Sequence, residues 1–373
     1  MNFLFVSLVA SALLLSIALR INFLRWKAPR LERQGEFPAT TILVPARNEE
    51  ANIGPCVTSL RRQGGSSSLI VVDDGSTDRT AAIVSDLAAD DPRIELVAAG
   101  DVPPAWRGKV HALSVGMDRV TTPWILTTDA DTRHAPGLLA RAHATAAHRH
   151  LDWISLAGQQ EVQGVGENLL TPPVFAVLDA VLGNWTRAAS GGATLANGQY
   201  ILVRSAAIQA IGGFAAVRCV PIDDVALAVE LKAAGFQGGF FRAPEELRIR
   251  MYQGFGASVR GWRRSLGALF GGRWTQALGV LLVLLGPSVL LGFELARREG
   301  PAALALWLGG AVTSMVLRRG SRHSPRWGLL YPLDALVLSG VLLLALRDYS
   351  RGFFAPWKGR EMPVAAPSLT PEG

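Results

Sequence analysis

Asp129 and Asp131 stand two residues apart at the end of the apolar run Trp124-Ile125-Leu126-Thr127-Thr128. In extended chain, side chains two apart point to the same side, so both carboxylates can approach one object. Two anions held that close repel each other unless a positive charge lies between them. A hard divalent cation meets that need, because it takes one or two carboxylates and fills its shell with substrate phosphate oxygens and water. An isolated Asp-x-Asp is also a common way for a strand to end in a turn. The rest of the chain decides between the two.

Three further clusters carry charge suited to chemistry. Asp73 and Asp74 follow the run Leu69-Ile70-Val71-Val72 and can accept hydrogen bonds from a nucleotide base or from ribose hydroxyls, or can simply form a turn with Gly75. Asp223 and Asp224 stand where a helix opens, so they can supply a base or serve as a helix cap. Lys109, just after Gly108, offers a compact cationic donor for a phosphate, or is a solvated charge.

The elements that must position these groups alternate in type. Thr41-Ile42-Leu43-Val44 reads as a buried strand stopped by Pro45 and followed by Arg47-Asn48-Glu49-Glu50. A helix through Ile53, Val57 and Leu60 comes next, then the strand ending at Asp73, then a helix capped by Ser76 or Thr77. Ile94 to Val97 and Trp124 to Thr128 are further strands, with helices over Lys109 to Val120 and Ala135 to His148. Trp153 to Leu156, Tyr200 to Arg204 and Arg248 to Tyr252 complete the strands, and an apolar helix crosses Pro172 to Leu182. Short apolar strands alternating with helices predict an α/β fold with a mostly parallel sheet covered on both faces. Ligands bind such sheets at the carboxyl ends of the strands. The clusters after Val44, Val72 and Thr128 all fall there. No Gly-x-Gly-x-x-Gly follows the first strand and no Gly-x-x-x-x-Gly-Lys-Ser/Thr occurs, which disfavours dinucleotide and Walker-type sites. His143, His148 and His150 are expected on an exposed helix, as solvated residues and not as metal ligands.

The chain of 373 residues is 49% hydrophobic and carries a formal charge of +7. Many of its basic residues flank apolar segments, which points to a lipid bilayer and not to nucleic acid. Two cysteines, Cys56 and Cys219, provide no disulfide framework and no zinc site. Residues 1–24 read as an uncleaved transmembrane anchor, because the positive charges Arg20, Arg25, Lys27 and Arg30 come after the apolar run. Residues 25–39 then read as a basic linker and 40–252 as the α/β domain, expected to be cytoplasmic by the positive-inside rule. Residues 253–275, with Arg260, Arg263 and Arg264 among Trp262, Leu266 and Phe270, suit interfacial helices or an ordinary amphipathic helix packed on the domain. Residues 276–347 hold three transmembrane helices, interrupted by Pro287 and carrying Asp334, which should face the bundle interior. The basic loop Arg318 to Arg326 falls inside; the tail 348–373 falls outside against the rule unless one span is re-entrant. The expectation is a multi-pass protein of a bacterial inner membrane.

Taken in order, Val44-Pro45-Ala46-Arg47-Asn48-Glu49-Glu50, Val71-Val72-Asp73-Asp74-Gly75-Ser76-Thr77-Asp78, Trp106-Arg107-Gly108-Lys109, Thr128-Asp129-Ala130-Asp131 and Ile222-Asp223-Asp224 resemble the motifs of family 2 glycosyltransferases. The resemblance spans about residues 40 to 260. It is closest to the membrane-bound members associated with hopanoids and carotenoids, which are similar in the Trp-x-Gly-Lys motif, the Met-Tyr…Gly-Trp region and the Trp357-Lys358-Gly359-Arg360 tail. It implies a GT-A fold, a nucleotide-diphosphate sugar donor, a Mg2+ or Mn2+ ion, inversion at the anomeric carbon and a membrane lipid acceptor. By position it implies that Pro45, Arg47, Glu49, Asp73 and Asp74 line the nucleoside pocket, that Lys109 and Asp129 sit near the diphosphate, and that Asp129 and Asp131 hold the metal. Asp224 takes the place of the general base, with Asp223 where many members have Glu. Trp262, in Arg260-Gly261-Trp262, is the nearest counterpart to the Gln-x-x-Arg-Trp of processive synthases and is taken as a substrate-side residue. The missing motif argues for transfer of one sugar and against polymer extension. Two other readings remain: a transferase acting on polyprenyl phosphate, held by Arg260, Arg263 and Arg264, and a membrane scaffold that binds nucleotide sugar without catalysis.

Overall fold

The computed structural model describes residues 3–26, 30–32, 35–182, 195–220, 222–270 and 273–352. The Trp357 to Arg360 tail and Pro221 lie outside these. The chain divides into two units: residues 28–161, 185–251 and 356–373, and residues 1–27, 162–184 and 252–355.

Among the described residues the first unit has ten strands: β1 Thr40–Ala46, β2 Ser67–Asp73, β3 Ile94–Ala98, β4 Trp124–Thr127, β5 Thr132–His134, β6 Trp153–Ala157, β7 Gln159–Gln160, β8 Ile201–Arg204, β9 Gly238–Arg242 and β10 Leu247–Ile249. Seven of them form one sheet in the order β3-β2-β1-β4-β8-β6-β9; β5, β10 and β7 form a second, small one. Strands β3, β2, β1 and β4 run parallel, and β8 alone reverses, antiparallel to both β4 and β6. The alternation of side chains along each strand divides the core in two. Ile42, Val44, Leu69, Val71 and Leu126 enter one apolar cluster; Leu43, Ile70, Val72 and Ile125 enter the other. Both faces are covered, which is why these strands read as continuous apolar runs.

Pro45 does not stop β1, which continues to Ala46. The Leu43 carbonyl accepts the Thr128 N–H and the Ala46 carbonyl accepts the Asp74 N–H, so Pro45 faces the β4 side beyond the point where β4 has ended. Its missing donor therefore costs no ladder bond. Nor do Ser76 and Thr77 cap the following helix, which spans Thr80–Asp90 and has Arg79 before it. The Thr80 N–H is instead received by Asp78 Oδ1 at 2.9 Å. The placement of His143 also differs from expectation. It is buried, its Nε2 lies 2.8 Å from Thr40 Oγ1, and its ring stacks on Phe37. Burial, with Arg204 adding to it, lowers its pKa to about 4, so it is neutral. The helix Leu138–His148 turns this face to the core and leaves only its far end to solvent, where His148 pairs with Glu32.

Among its described residues the second unit has four helices long and apolar enough to cross a membrane: Leu4–Arg25, Trp274–Ala296, Gly300–Gly320 and Pro325–Ser350. Pro287 sits inside an unbroken helix. Asp334 faces inward as expected, 2.6 Å from Arg318 Nη2, both side chains almost fully buried. Arg25 is likewise buried against Asp179 at 2.6 Å. Such pairs are needed because a lone charge in apolar surroundings is costly. The helix Gly164–Leu182, although it falls inside the 40–252 stretch, groups with this unit. So does the amphipathic helix Phe255–Phe270, packed on Gly164–Leu182 and Tyr331–Ser350. Trp262 is buried there, edge-on to Phe175 and Tyr252, its Nε1 donating to Thr171 Oγ1 at 3.3 Å.

Strand β9 was not apparent in the sequence, since its Gly238-Gly239 start has low strand preference. The structure explains those glycines. Gly238 lies opposite Trp153, and a Cβ there would come within 1.8 Å of the fully buried indole. Gly238→Ala is therefore expected to destabilise the protein by about 1–3 kcal/mol through overpacking. The check is the melting temperature of the detergent-solubilised variant; an unchanged value would mean the indole can move aside.

Candidate active site

The carboxyl ends of β1, β2 and β4 do carry the clusters, and the structure adds a fourth participant. Strand β8 runs antiparallel to β4 with Ile201 opposite Thr127, so the segment just before β8 reaches the same end of the sheet as Asp129. That segment contains Gly198. The helix Asp223–Ala233 starts beside it, with Asp223 as its first residue and not its cap.

These elements converge on one ammonium group. Lys109 Nζ lies 2.7 Å from Asp129 Oδ1 and 3.8 Å from Asp223 Oδ2. Asp224 Oδ2 accepts the Gly198 N–H at 2.7 Å and its Oδ1 accepts the Val225 N–H at 2.8 Å. Lys109 is the second residue of the helix Gly108–Met117, where the helix dipole opposes a cation. The carboxylates must therefore hold it. Burial alone would lower the Lys109 pKa, but Asp129, Asp223 and Asp224 together raise it above its ordinary range. Burial and the neighbouring Asp223 push Asp224 in the basic direction, to about 6, against the pull of Lys109 and the two N–H donors. A carboxylate poised near neutrality in a cleft is suited to take a proton. Lys109, Thr127, Gly198, Phe214, Asp223 and Asp224 line a small cavity at this point.

The loops after β1 and β2 are stitched together. Arg47 Nη1 donates to the carbonyls of Asp74 and Gly75. Asn48 Oδ1 accepts the Thr77 N–H at 2.8 Å, and the Glu49 N–H goes to Thr80 Oγ1 at 2.7 Å. Asp73 receives the Ser76 N–H and hydroxyl, so its carboxylate shapes the turn, while Asp74 is buried. Arg47, Glu49 and Asp74 thus belong to one interlocked pair of loops, and Pro45 and Asp73 to the ends of the strands that carry them.

Asp131 follows Asp129, and its main-chain carbonyl accepts the Arg250 N–H at 2.9 Å. Its carboxylate and that of Glu49 both act on Cys56, whose thiol burial pushes up to about 12. Among the described residues no group of three or more His, Cys, Asp or Glu forms a metal cage. The donor set fits an ion that takes few protein ligands and completes its shell from a diphosphate and water. The Lys109 cation against Asp129 shows that this carboxylate accepts positive charge. Trp262 belongs to the helical unit. Gly198 was not identified from sequence; the turn-forming dipeptide Asn197-Gly198 is its only local signal.

A Cβ on Gly198 would lie 2.6 Å from Lys109 Nζ and 3.5 Å from Asp224 Oδ2. The Lys109 side chain is flexible enough to yield. Gly198→Ala should therefore leave the melting temperature nearly unchanged while turnover falls about tenfold or more as the cation leaves Asp129. Full turnover in the variant would show that the Lys109 position is not required.

Residues 41–161 match the family model described as Glycosyl transferase family 2. A 4,4'-diaponeurosporenoate glycosyltransferase of Staphylococcus aureus (strain USA300) is 25% identical over 344 residues, covering 88% of this chain and 89% of the relative. Among solved structures, a mannosyltransferase from Pyrobaculum calidifontis, in complex with GDP-Man and Mn2+, superposes with a TM-score of 0.61 at 18% identity, over 93% of this chain and 99% of that one. The chain carries a family 2 glycosyltransferase domain on a GT-A fold, and it is a glycosyltransferase.

Proposed function

We propose that the protein transfers a single sugar, with inversion, from a nucleotide-diphosphate sugar to a hydroxyl of a membrane lipid of carotenoid or other terpenoid type. The observation that carries this reading is the Lys109 ammonium standing between Asp129 on one side and the Asp223-Asp224 pair on the other. That arrangement supports a leaving diphosphate held next to a carboxylate able to act as base.

In this reading Pro45 and Asp73 at the strand ends and Arg47, Glu49 and Asp74 in the interlocked loops hold the nucleoside. Asp129 and Asp131 hold a Mg2+ or Mn2+ ion, which when bound supplies charge neutralisation for the diphosphate. Lys109 exchanges its carboxylate partner for a phosphate oxygen and stabilises the charge that develops as the bond to the sugar breaks. Asp224 accepts the proton of the acceptor hydroxyl as that oxygen attacks the anomeric carbon from the face opposite the diphosphate. The Gly198 and Val225 N–H groups keep the Asp224 carboxylate oriented for that transfer. Asp223 adds negative charge that favours proton uptake by its neighbour.

The likeness to the Staphylococcus 4,4'-diaponeurosporenoate glycosyltransferase and the four apolar helices among the described residues support a lipid-borne acceptor at a bilayer, with the sheet unit on the cytoplasmic side of a bacterial inner membrane. The organisation that goes with this is an N-terminal span, a catalytic stretch and three C-terminal spans. A polyprenyl-phosphate acceptor is less well supported. Arg263, one of the three arginines that reading uses, gives its guanidinium to both oxygens of Asp348.

Lipid extracts from membranes with and without the protein provide the test. The expected product is a lipid heavier by one hexose, absent when divalent cations are chelated and absent with Asp129→Ala. A polymeric product would overturn single transfer, and full activity of Asp129→Ala under chelation would overturn the metal role.

A further inference from the structure

We propose that His134 is a positioning residue that locks the Asp129-Ala130-Asp131 turn to the Gly198 loop. The inference rests on the reading that Asp129 and Asp131 hold a divalent cation and that Asp224 is the base. Beneath the turn lies a buried polar knot formed by Thr128, Thr132 and His134. Thr132 Oγ1 donates to the Asp129 carbonyl at 2.7 Å, and Thr128 Oγ1 donates to the Gln199 carbonyl at 2.7 Å. A hydroxyl has one hydrogen, so both are now spent. His134 Nε2 lies 3.1 Å from Thr128 Oγ1 and 3.0 Å from Thr132 Oγ1. It must therefore be the donor to both oxygens, which fixes the neutral ring in its Nε2–H form. Nδ1 then carries the lone pair; it is buried and has no hydrogen-bond partner among the described residues.

One N–H thus joins two hydroxyls whose hydrogens fasten two separate backbone segments. The first segment carries the Asp129 carboxylate. The second continues from Gln199 back to Gly198, whose N–H holds Asp224. His134 itself is anchored in β5, where it pairs with Leu247 of β10. The knot sets the spacing between the cation side and the base side of the site without touching substrate.

The test compares His134→Leu, His134→Gln, His143→Leu and Asp129→Ala in the full-length, detergent-solubilised enzyme. The readouts are kcat, donor KM, the Mn2+ concentration giving half-maximal transfer, and melting temperature. His134→Leu should raise the half-activating Mn2+ concentration about tenfold and lower kcat by a similar factor, as loss of groups supporting metal ligands does. His134→Gln, whose amide N–H reaches the Nε2 position, should restore both to within about threefold of wild type. His143 is equally buried but bonds Thr40 at the opposite end of β1, so His143→Leu should leave the Mn2+ response unchanged even where it lowers the melting temperature. An inactive Asp129→Ala together with a wild-type Mn2+ response in His134→Leu, or no rescue by Gln, overturns the positioning role. An Asp129→Ala that transfers normally overturns the metal reading beneath it.

Discussion

The site depends on one ammonium group held among carboxylates from separate parts of the chain. Lys109 stands in the helix Gly108–Met117, Asp129 in the turn after β4, and the Asp223-Asp224 pair at the start of the helix Asp223–Ala233. Each group would be unfavourable alone: a cation at a helix start, and paired acids partly removed from water. Together they balance. Within this arrangement, burial and the adjacent Asp223 carboxylate raise the proton affinity of Asp224, to about 6.

The fold serves that balance chiefly through a single reversal. Four parallel strands bring the polar loops of β1, β2 and β4 to one edge, as a doubly covered sheet must. The antiparallel β8 then delivers a turn to the same edge, and Gly198 leaves room there for the Lys109 ammonium while its N–H reaches Asp224. A side chain in place of that hydrogen would occupy the space where the charges meet. In the helical unit, the same need to pair buried charge produces Arg318 with Asp334 and Arg25 with Asp179.

The strands that sequence made plain were those whose β-branched runs are buried on both faces: Thr41 to Val44, Leu69 to Val72 and Trp124 to Thr128. The acidic clusters at their ends were visible for the same reason, because polarity changes abruptly there. The strands that escaped notice, β5, β7 and β9, are short, polar or glycine-rich, and are fixed by tertiary pairing instead of local preference. His143 was misjudged because three histidines near a helix end resemble a solvated face, yet one of them has a threonine partner in the core. The contact of Lys109 with Asp129 spans twenty positions and two elements, and periodicity carries no trace of it. The use of Asp73 to shape its own turn was likewise hidden, since a turn-former and a ligand for a base look alike in sequence.

The pH dependence of kcat/KM, measured alongside Asp224→Asn, tests the account most directly. A buried carboxylate with its pKa raised to about 6 in the free enzyme must lose its proton before it can act as base, so kcat/KM should rise with pH through that value and level off above it. Asp224→Asn should still bind the donor but lose nearly all transfer at every pH. A rate independent of pH between about 5 and 8, with Asp224→Asn turning over as wild type does, would contradict the account.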